Sequence, residues 1–369
     1  MFSTRVLALL LLVSSFLNTV LGQYYVNKMG IPQWRYLTWN TVCSTTLFIL
    51  VMILSRWPLI WRHRKDIPWL RLFKIVGPSS AALAAIIPGS TMLYSMPNLP
   101  SPVAMVPLKG SSIFAGMLVD LAMRIKTSFL LKMAALLAFA SLSTAVFWPP
   151  TDGFKFLESW VAMSVVVVCG LIGYPYRVWA IRKFKAVMQE LTPQRKLTNE
   201  EQTENDKVLA FFDQLGAYLL LIFVLVMTYV AAHFLGERTP QPIRDIHWAM
   251  AHFDFKVGLI SGAVYGFYAF CTLFILMNPT NATFATTTNK ILVVIASIGS
   301  LIFCYKMGFP KSRWLGDSEI AAIVLVILAS AFAVLDYVLK ERQKKALQRT
   351  ASSVSPETQA VSATGLVWR

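Results

Sequence analysis

The chain has 369 residues, of which 56% are hydrophobic and only 14% are charged, and its mean hydropathy is +0.58. A soluble domain carries about a quarter charged residues, so this composition excludes an ordinary soluble protein. The net charge of +16 does not indicate nucleic-acid binding, because the basic residues lie in short segments between apolar runs, where they act as topology signals.

The apolar residues fall into runs of roughly 20 residues, the length that crosses a bilayer core. They predict an all-α membrane protein with about ten transmembrane helices. The predicted spans are 6–27, 36–55, 74–95, 101–123, 128–148, 159–181, 208–235, 255–278, 282–306 and 317–340. The longest internal loop is predicted at about 182–207, and the Ser/Thr/Ala-rich tail 341–369 is predicted to be disordered and cytosolic.

The first span resembles a signal peptide, because Arg5 precedes an apolar stretch that ends at Leu21 and Gly22. The apolar run nevertheless continues into Tyr24 and Tyr25 and is long enough to span a bilayer. We interpret it as the first transmembrane helix, and its cleavage remains the alternative.

The distribution of basic residues predicts the orientation. If the N-terminus is inside and the chain crosses ten times, the inner segments hold 23 Lys and Arg residues and the outer segments hold 9. Inner loops of membrane proteins are enriched in basic residues, so both termini are predicted to be cytosolic.

Two lysines, Lys109 and Lys290, lie inside predicted spans, and they suggest an internal repeat. Lys109 follows Met96 by 13 positions and Lys290 follows Met277 by 13 positions, so the two copies are offset by 181 residues. This offset maps the second and third spans onto the seventh and eighth. Five spans are an odd number, so the second copy would be inverted in the membrane. The prediction is a five-plus-five inverted repeat, with residues 1–150 and 151–340 as its halves.

A lysine near the middle of a bilayer is costly and needs a partner. Among the acids inside spans, Asp120 and Asp336 lie near span ends and do not reach the same depth easily. An anionic substrate, such as a phosphate, would neutralise both lysines. The alternative is that each lysine extends to the interface or binds backbone carbonyls. Polar and aromatic neighbours complete the candidate substrate site, which comprises Lys109, Lys290, Asn289, Asn98, Tyr94, Ser112, Thr286 and Tyr265.

Small residues and cysteines are assigned to packing. Gly258, Gly262 and Gly266 recur at every fourth position of the eighth span, which predicts close helix packing. The four cysteines all lie in apolar runs, which is typical of buried thiols, and no metal-binding spacing is present.

The layout resembles the drug/metabolite transporter superfamily, whose plan is ten helices, a five-plus-five inverted repeat and two cytosolic termini. The stretch Thr286-Thr287-Thr288-Asn289-Lys290 looks like the Gly-Ala-Leu-Asn-Lys motif of nucleotide-sugar transporters through its Asn-Lys pair. Lys109 resembles the lysine that nucleotide-sugar and triose-phosphate transporters use against a substrate phosphate. The resemblance implies a Golgi or ER membrane in a eukaryote and the inner membrane in a bacterium.

The sequence therefore predicts a secondary transporter, not an enzyme, that exchanges a phosphorylated anionic metabolite, with a nucleotide sugar as the leading substrate. No cofactor is expected. The expected partners are a small anionic metabolite and the lipid bilayer, with no nucleic acid, and a homodimer remains open. The alternatives are a broad exporter of drugs, metabolites or amino acids with the same fold, and a non-transporting membrane scaffold or receptor.

Overall fold

The computed structural model describes residues 4–56, 69–96, 98–122, 124, 127–190, 198–276, 282–309 and 314–353. Within these ranges the protein is all-α. The twelve α-helices are α1 Thr4–Gln23, α2 Gln33–Leu54, α3 Trp69–Ser95, α4 Ser101–Ala122, α5 Phe129–Phe147, α6 Trp160–Val165, α7 Tyr174–Glu190, α8 Asn199–Leu235, α9 Gln241–Ala251, α10 Phe255–Leu276, α11 Ala282–Lys306 and α12 Asp317–Ser353. A π-helical stretch, Val166–Gly173, joins α6 to α7 in one continuous span.

Eight helical stretches in the described residues are long and apolar enough to cross a membrane, so the chain is a multi-pass membrane protein. They are Ala8–Lys28, Gln33–Leu54, Leu70–Ser95, Phe129–Phe147, Trp160–Glu190, Glu200–Arg238, Phe255–Thr272 and Asp317–Lys340. The predicted spans 101–123 and 282–306 are also helices, α4 and α11, but α4 is not among the eight and α11 contributes only the shorter apolar segment Leu292–Lys306. These are the two helices that carry Lys109 and Lys290.

The outer surface of the bundle is apolar, which is the reverse of a soluble protein. The clearest case is α8, where large hydrophobic side chains are exposed along several turns: Leu219, Ile222, Phe223, Val226 and Val230. An apolar surface of this extent is stable only against lipid or another protein. The interior of the bundle contains buried Ser and Thr hydroxyls that donate to carbonyls one turn earlier on their own helices.

The helices pack in a defined pattern. α5 packs along α12, α2 along α10, and α3 along α8, while α1 contacts both α10 and α11. The predicted close packing of the eighth span is confirmed: a Cβ added to Gly262 would lie 2.6 Å from Cys43 Cβ and 2.7 Å from the Ser44 backbone nitrogen. The absent side chain at Gly262 is therefore what allows α10 to approach the backbone of α2.

The helices extend beyond the predicted spans. In the loop predicted at 182–207, α7 continues to Glu190 and α8 begins at Asn199. Its start is fixed by Thr198, whose hydroxyl accepts a hydrogen bond from the Glu201 backbone while the Glu201 carboxylate accepts one from Thr198. The disorder predicted for 341–369 is wrong for 341–353, where α12 continues to Ser353, because Lys, Arg, Gln, Ala and Leu are good helix formers. Residues 354–369 lie outside the described residues.

Candidate functional site

Lys109 is the ninth residue of α4 and is buried, with 9% of its surface exposed. The helix around it is tightly enclosed, since Leu108 and Val106 are almost fully buried. Pro107 precedes it inside the helix and has no backbone N–H, so the Val103 carbonyl loses its usual helical donor. The described part of the chain contains no other buried lysine or arginine.

Four tyrosines from three different spans lie near one another, and we call them the tyrosine cluster: Tyr94, Tyr174, Tyr265 and Tyr268. The Lys109 ammonium lies within electrostatic range of Tyr174 and Tyr268. Tyr94 is in the same range of the other three tyrosines, and the rings of Tyr265 and Tyr268 are 6.1 Å apart. A cation beside several phenol groups can bind an anion and stack an aromatic ring in the same place.

One of these tyrosines is held by a neighbour on the next helix. The Tyr94 hydroxyl donates to Met105 Sδ at 2.6 Å. Tyr94 comes from the end of α3 and Met105 from the start of α4, so this contact joins the two helices across the turn that precedes Lys109.

The sixth span approaches Lys109 through its π-helical stretch Val166–Gly173. A Cβ added to Gly170 would lie 2.7 Å from Ser111 Oγ and 3.6 Å from the Pro107 carbonyl oxygen. Because Gly170 has no side chain, this span can contact α4 at Pro107 and Ser111, which precede and follow Lys109 in the sequence. A π-helical turn widens the helix locally and is frequent at functional sites. Here the π-helical stretch ends at Gly173. The next residue, Tyr174, is the first residue of α7 and a member of the tyrosine cluster.

Arg177 lies one turn beyond Tyr174 on α7 and contacts Asp213 on α8. Its Nε and Nη2 atoms donate to the same carboxylate oxygen, Asp213 Oδ2, at 3.1 and 3.0 Å. Arg177 is also within electrostatic range of Tyr174, Tyr218 and Tyr265. A second positive group therefore lies next to the tyrosine cluster.

Further ion pairs connect neighbouring helices. Arg182 on α7 donates to Asp120 on α4, Lys185 pairs with Asp206 at 3.2 Å, and Arg71 pairs with Glu190 at 2.6 Å. Asp120 is thus engaged by Arg182. Within α12, Asp336 pairs with Lys340 at 2.8 Å.

The helices that carry the two lysines pack against each other in opposite directions. Ser101, at the start of α4, hydrogen-bonds with Ser300 Oγ at 2.9 Å, near the end of α11. At 1.5 Å per residue, position 109 lies about 12 Å from this contact along α4 and position 290 about 15 Å along α11. The two backbone positions therefore have nearly the same depth, and each is the ninth residue of its helix.

Of the predicted site residues, Tyr94 and Tyr265 belong to the tyrosine cluster, and Lys109 lies within electrostatic range of two other members, Tyr174 and Tyr268. Asn98 is exposed in the turn between α3 and α4 and has a positive φ of 62°. Thr286, Asn289 and Lys290 are on α11 and Ser112 is on α4, but their side chains lie outside the described residues.

Sequence reasoning missed Tyr174, Arg177 and Asp213. Arg177 was counted with the basic residues of the inner loop, although it lies within the predicted span 159–181. Asp213 is a charged residue inside the predicted span 208–235, and an ionisable residue within a membrane span is itself a signal of function. That signal was present in the sequence.

Comparison with known proteins leaves the family open. No protein-family model matches the chain, and no curated protein matches it. Thirteen chains of solved structures match. One of them, titled only "Crystal structure of protein", covers 90% of this chain and 98% of its own length at 13% identity, with a TM-score of 0.45. This likeness is too distant to carry an argument about function.

Proposed function

We propose that the protein is a secondary carrier of the drug/metabolite type that exchanges a phosphorylated anionic metabolite by alternating access, with nucleotide sugars as the leading substrate class. The observation that carries the proposal is the burial of Lys109 beside the tyrosine cluster. A lysine at the centre of a membrane helix costs about 2.5–3.5 kcal/mol on insertion scales. Such a residue is retained where it binds something, and its environment of phenol groups suits a phosphate attached to an aromatic base.

The proposal includes a five-plus-five inverted repeat, and the helix contacts support it. The repeat pairs α2 with α8, α3 with α10, α4 with α11 and α5 with α12. Under this pairing the contact of α2 with α10 corresponds to the contact of α8 with α3, and both contacts are present. The contacts of α1 with α10 and α11 become those of the sixth span with α3 and α4, which are also present. In such repeats the substrate binds between the halves near the middle of the membrane.

Within this proposal α4 and α11 complete a set of ten spans, and Lys290 is a second lysine at the depth of Lys109. Both helices contain polar residues because they line a substrate path, so their lower hydropathy fits a role inside the bundle. The 23 basic residues on one side and 9 on the other favour cytosolic termini. The carrier needs no cofactor.

A broad exporter with the same fold is the second candidate, and the tyrosine cluster is the observation that favours it. Tyrosine faces also stack on aromatic amino acids and attract organic cations. In that case Lys109 would bind a substrate carboxylate or serve the structure of α4.

Reconstitution into liposomes distinguishes the two candidates. Vesicles preloaded with unlabelled compound should take up labelled nucleotide sugars or organophosphates by exchange, and protein-free vesicles should not. Uptake of amino acids or drugs without uptake of any phosphorylated compound would favour the broad exporter. The absence of exchange with every compound class would favour a scaffold or receptor.

A further inference from the structure

The ion pair between Arg177 and Asp213 is only half satisfied. Both Arg177 donors bind one carboxylate oxygen, Oδ2. The second oxygen, Asp213 Oδ1, is buried and has no hydrogen-bond partner within the described residues, and the same holds for the hydroxyl of Tyr218 one turn further along α8. Leaving a buried acceptor unsatisfied costs about 1–3 kcal/mol. A pair with a purely structural role would be expected to use both carboxylate oxygens.

A second ion pair joins the same two helices. Lys185 and Asp206 connect α7 and α8 about two turns away from Arg177 and Asp213. The side chains of Arg177 and Asp213 are 17% and 5% exposed, against 48% for Lys185. The better-buried of the two pairs is thus the one beside the tyrosine cluster.

The position of Arg177 relative to Lys109 is the third observation. Tyr174 lies within electrostatic range of both cations. Gly170 packs against α4 on both sides of Lys109 in sequence, and Arg177 follows Gly170 by seven residues, which is about 10 Å of helix rise. The backbone of Arg177 therefore lies about 10 Å beyond the level of Lys109, a separation that the two long cationic side chains and two linked phosphoryl groups can bridge together, whereas a single phosphate needs only one of the cations.

We propose that Arg177 is a further cation of the anion site beside the two central lysines, that it and Lys109 together bind the two phosphates of a diphosphate-containing metabolite, and that Asp213 binds Arg177 when no substrate is bound. This inference rests on the proposed function. The guanidinium fork suits two phosphate oxygens better than the single oxygen that it now contacts. A diphosphate would displace Asp213 from Arg177.

The test measures the binding of inorganic pyrophosphate and inorganic phosphate to the purified full-length protein in lipid nanodiscs by calorimetry. The native protein should bind pyrophosphate more tightly than phosphate. Arg177→Gln should lose about tenfold or more in pyrophosphate affinity, the effect of one charge-assisted contact, and should bind the two anions alike. Arg177→Lys, which keeps the charge but not the fork, should fall between.

Asp213→Asn gives the sharper result, because it removes the competing charge and keeps the shape. It should bind pyrophosphate more tightly than the native protein, whereas a purely structural pair predicts weaker binding and a lower melting temperature. Lys185→Gln, which breaks the other ion pair between α7 and α8, is the matched control and should leave both affinities unchanged. The measurement on Asp213→Asn tests the inference even if Arg177→Gln fails to fold.

The outcomes separate the inference from the proposed function. If the native protein binds neither anion, both are wrong. If Lys109→Ala loses pyrophosphate binding while Arg177→Gln keeps it, the anion site stands and the assignment of Arg177 is overturned. If Asp213→Asn weakens binding, Asp213 is a support and not a competitor, and the inference is overturned as well.

Discussion

At the scale of the residue, the charges of the described chain separate into two groups. Arg71 and Lys185 have side chains that are 51% and 48% exposed and pair with acids on other helices, while Lys340 pairs with Asp336 on its own helix. Lys109 is buried in the middle of α4, within electrostatic range of the phenols Tyr174 and Tyr268. The exposed pairs join helices or neighbouring helix turns, while the proposed anion site depends on the buried lysine.

Two of the ion pairs between helices allow a matched prediction about stability. Arg182→Gln leaves Asp120, whose side chain is 9% exposed, without its cation and should cost about 1–3 kcal/mol. Arg71→Gln breaks a pair whose members are 51% and 52% exposed and should cost less than about 1 kcal/mol. Thermal unfolding of both variants in the same detergent measures the difference, and equal melting temperatures would contradict this account.

At the scale of the element, close helix packing depends on glycines at particular contacts, and neighbouring glycines differ in how much they matter. A Cβ at Gly262 would meet Cys43 and the Ser44 backbone at 2.6 and 2.7 Å, closer than atoms can approach. A Cβ at Gly266, one turn further on, would have 3.7 Å to the Ser44 carbonyl oxygen, which is ordinary contact.

Gly262→Ala should therefore separate α10 from α2 and lower the melting temperature, whereas Gly266→Ala should be tolerated or slightly stabilising, since alanine favours the helix. Melting curves with size-exclusion profiles check both variants. Equal tolerance of the two substitutions would show that α2 can move away from α10 at little cost.

The sequence was informative about elements and less so about the site. Hydrophobic runs predicted the spanning helices because only a helix satisfies its own backbone in lipid. The ends of α7, α8 and α12 were not predicted, because outside the membrane a helix is decided by capping and propensity, as at Thr198. Lys109, Tyr94 and Tyr265 were predicted to share a site, and that remains a prediction, although Tyr94 and Tyr265 belong to the tyrosine cluster. Tyr174 and Arg177 were missed because their role depends on which helices meet, and span spacing does not contain that information.

At the scale of the whole molecule, the orientation predicted from the basic residues is open to test. With both termini cytosolic, single cysteines placed at Thr4 and Thr358 should react with an impermeant thiol reagent only after the cells are permeabilised. Lys155→Cys, in the exposed segment before the sixth span, is the positive control and should react in intact cells. The four native cysteines are buried and should give little background. Labelling of either terminus from outside would reverse the topology.

The central claim is that Lys109 binds an anion that the protein carries. The most direct test is the exchange of labelled nucleotide sugars in liposomes that contain the native protein, Lys109→Ala, Lys290→Ala or the exposed-lysine control Lys155→Ala. We predict exchange by the native protein and the control, and its loss in both central variants, with expression and melting temperature unchanged. If Lys109→Ala and Lys290→Ala exchange substrate at the native rate, the two lysines do not form an anion site, and the carrier of phosphorylated metabolites proposed here is the wrong function.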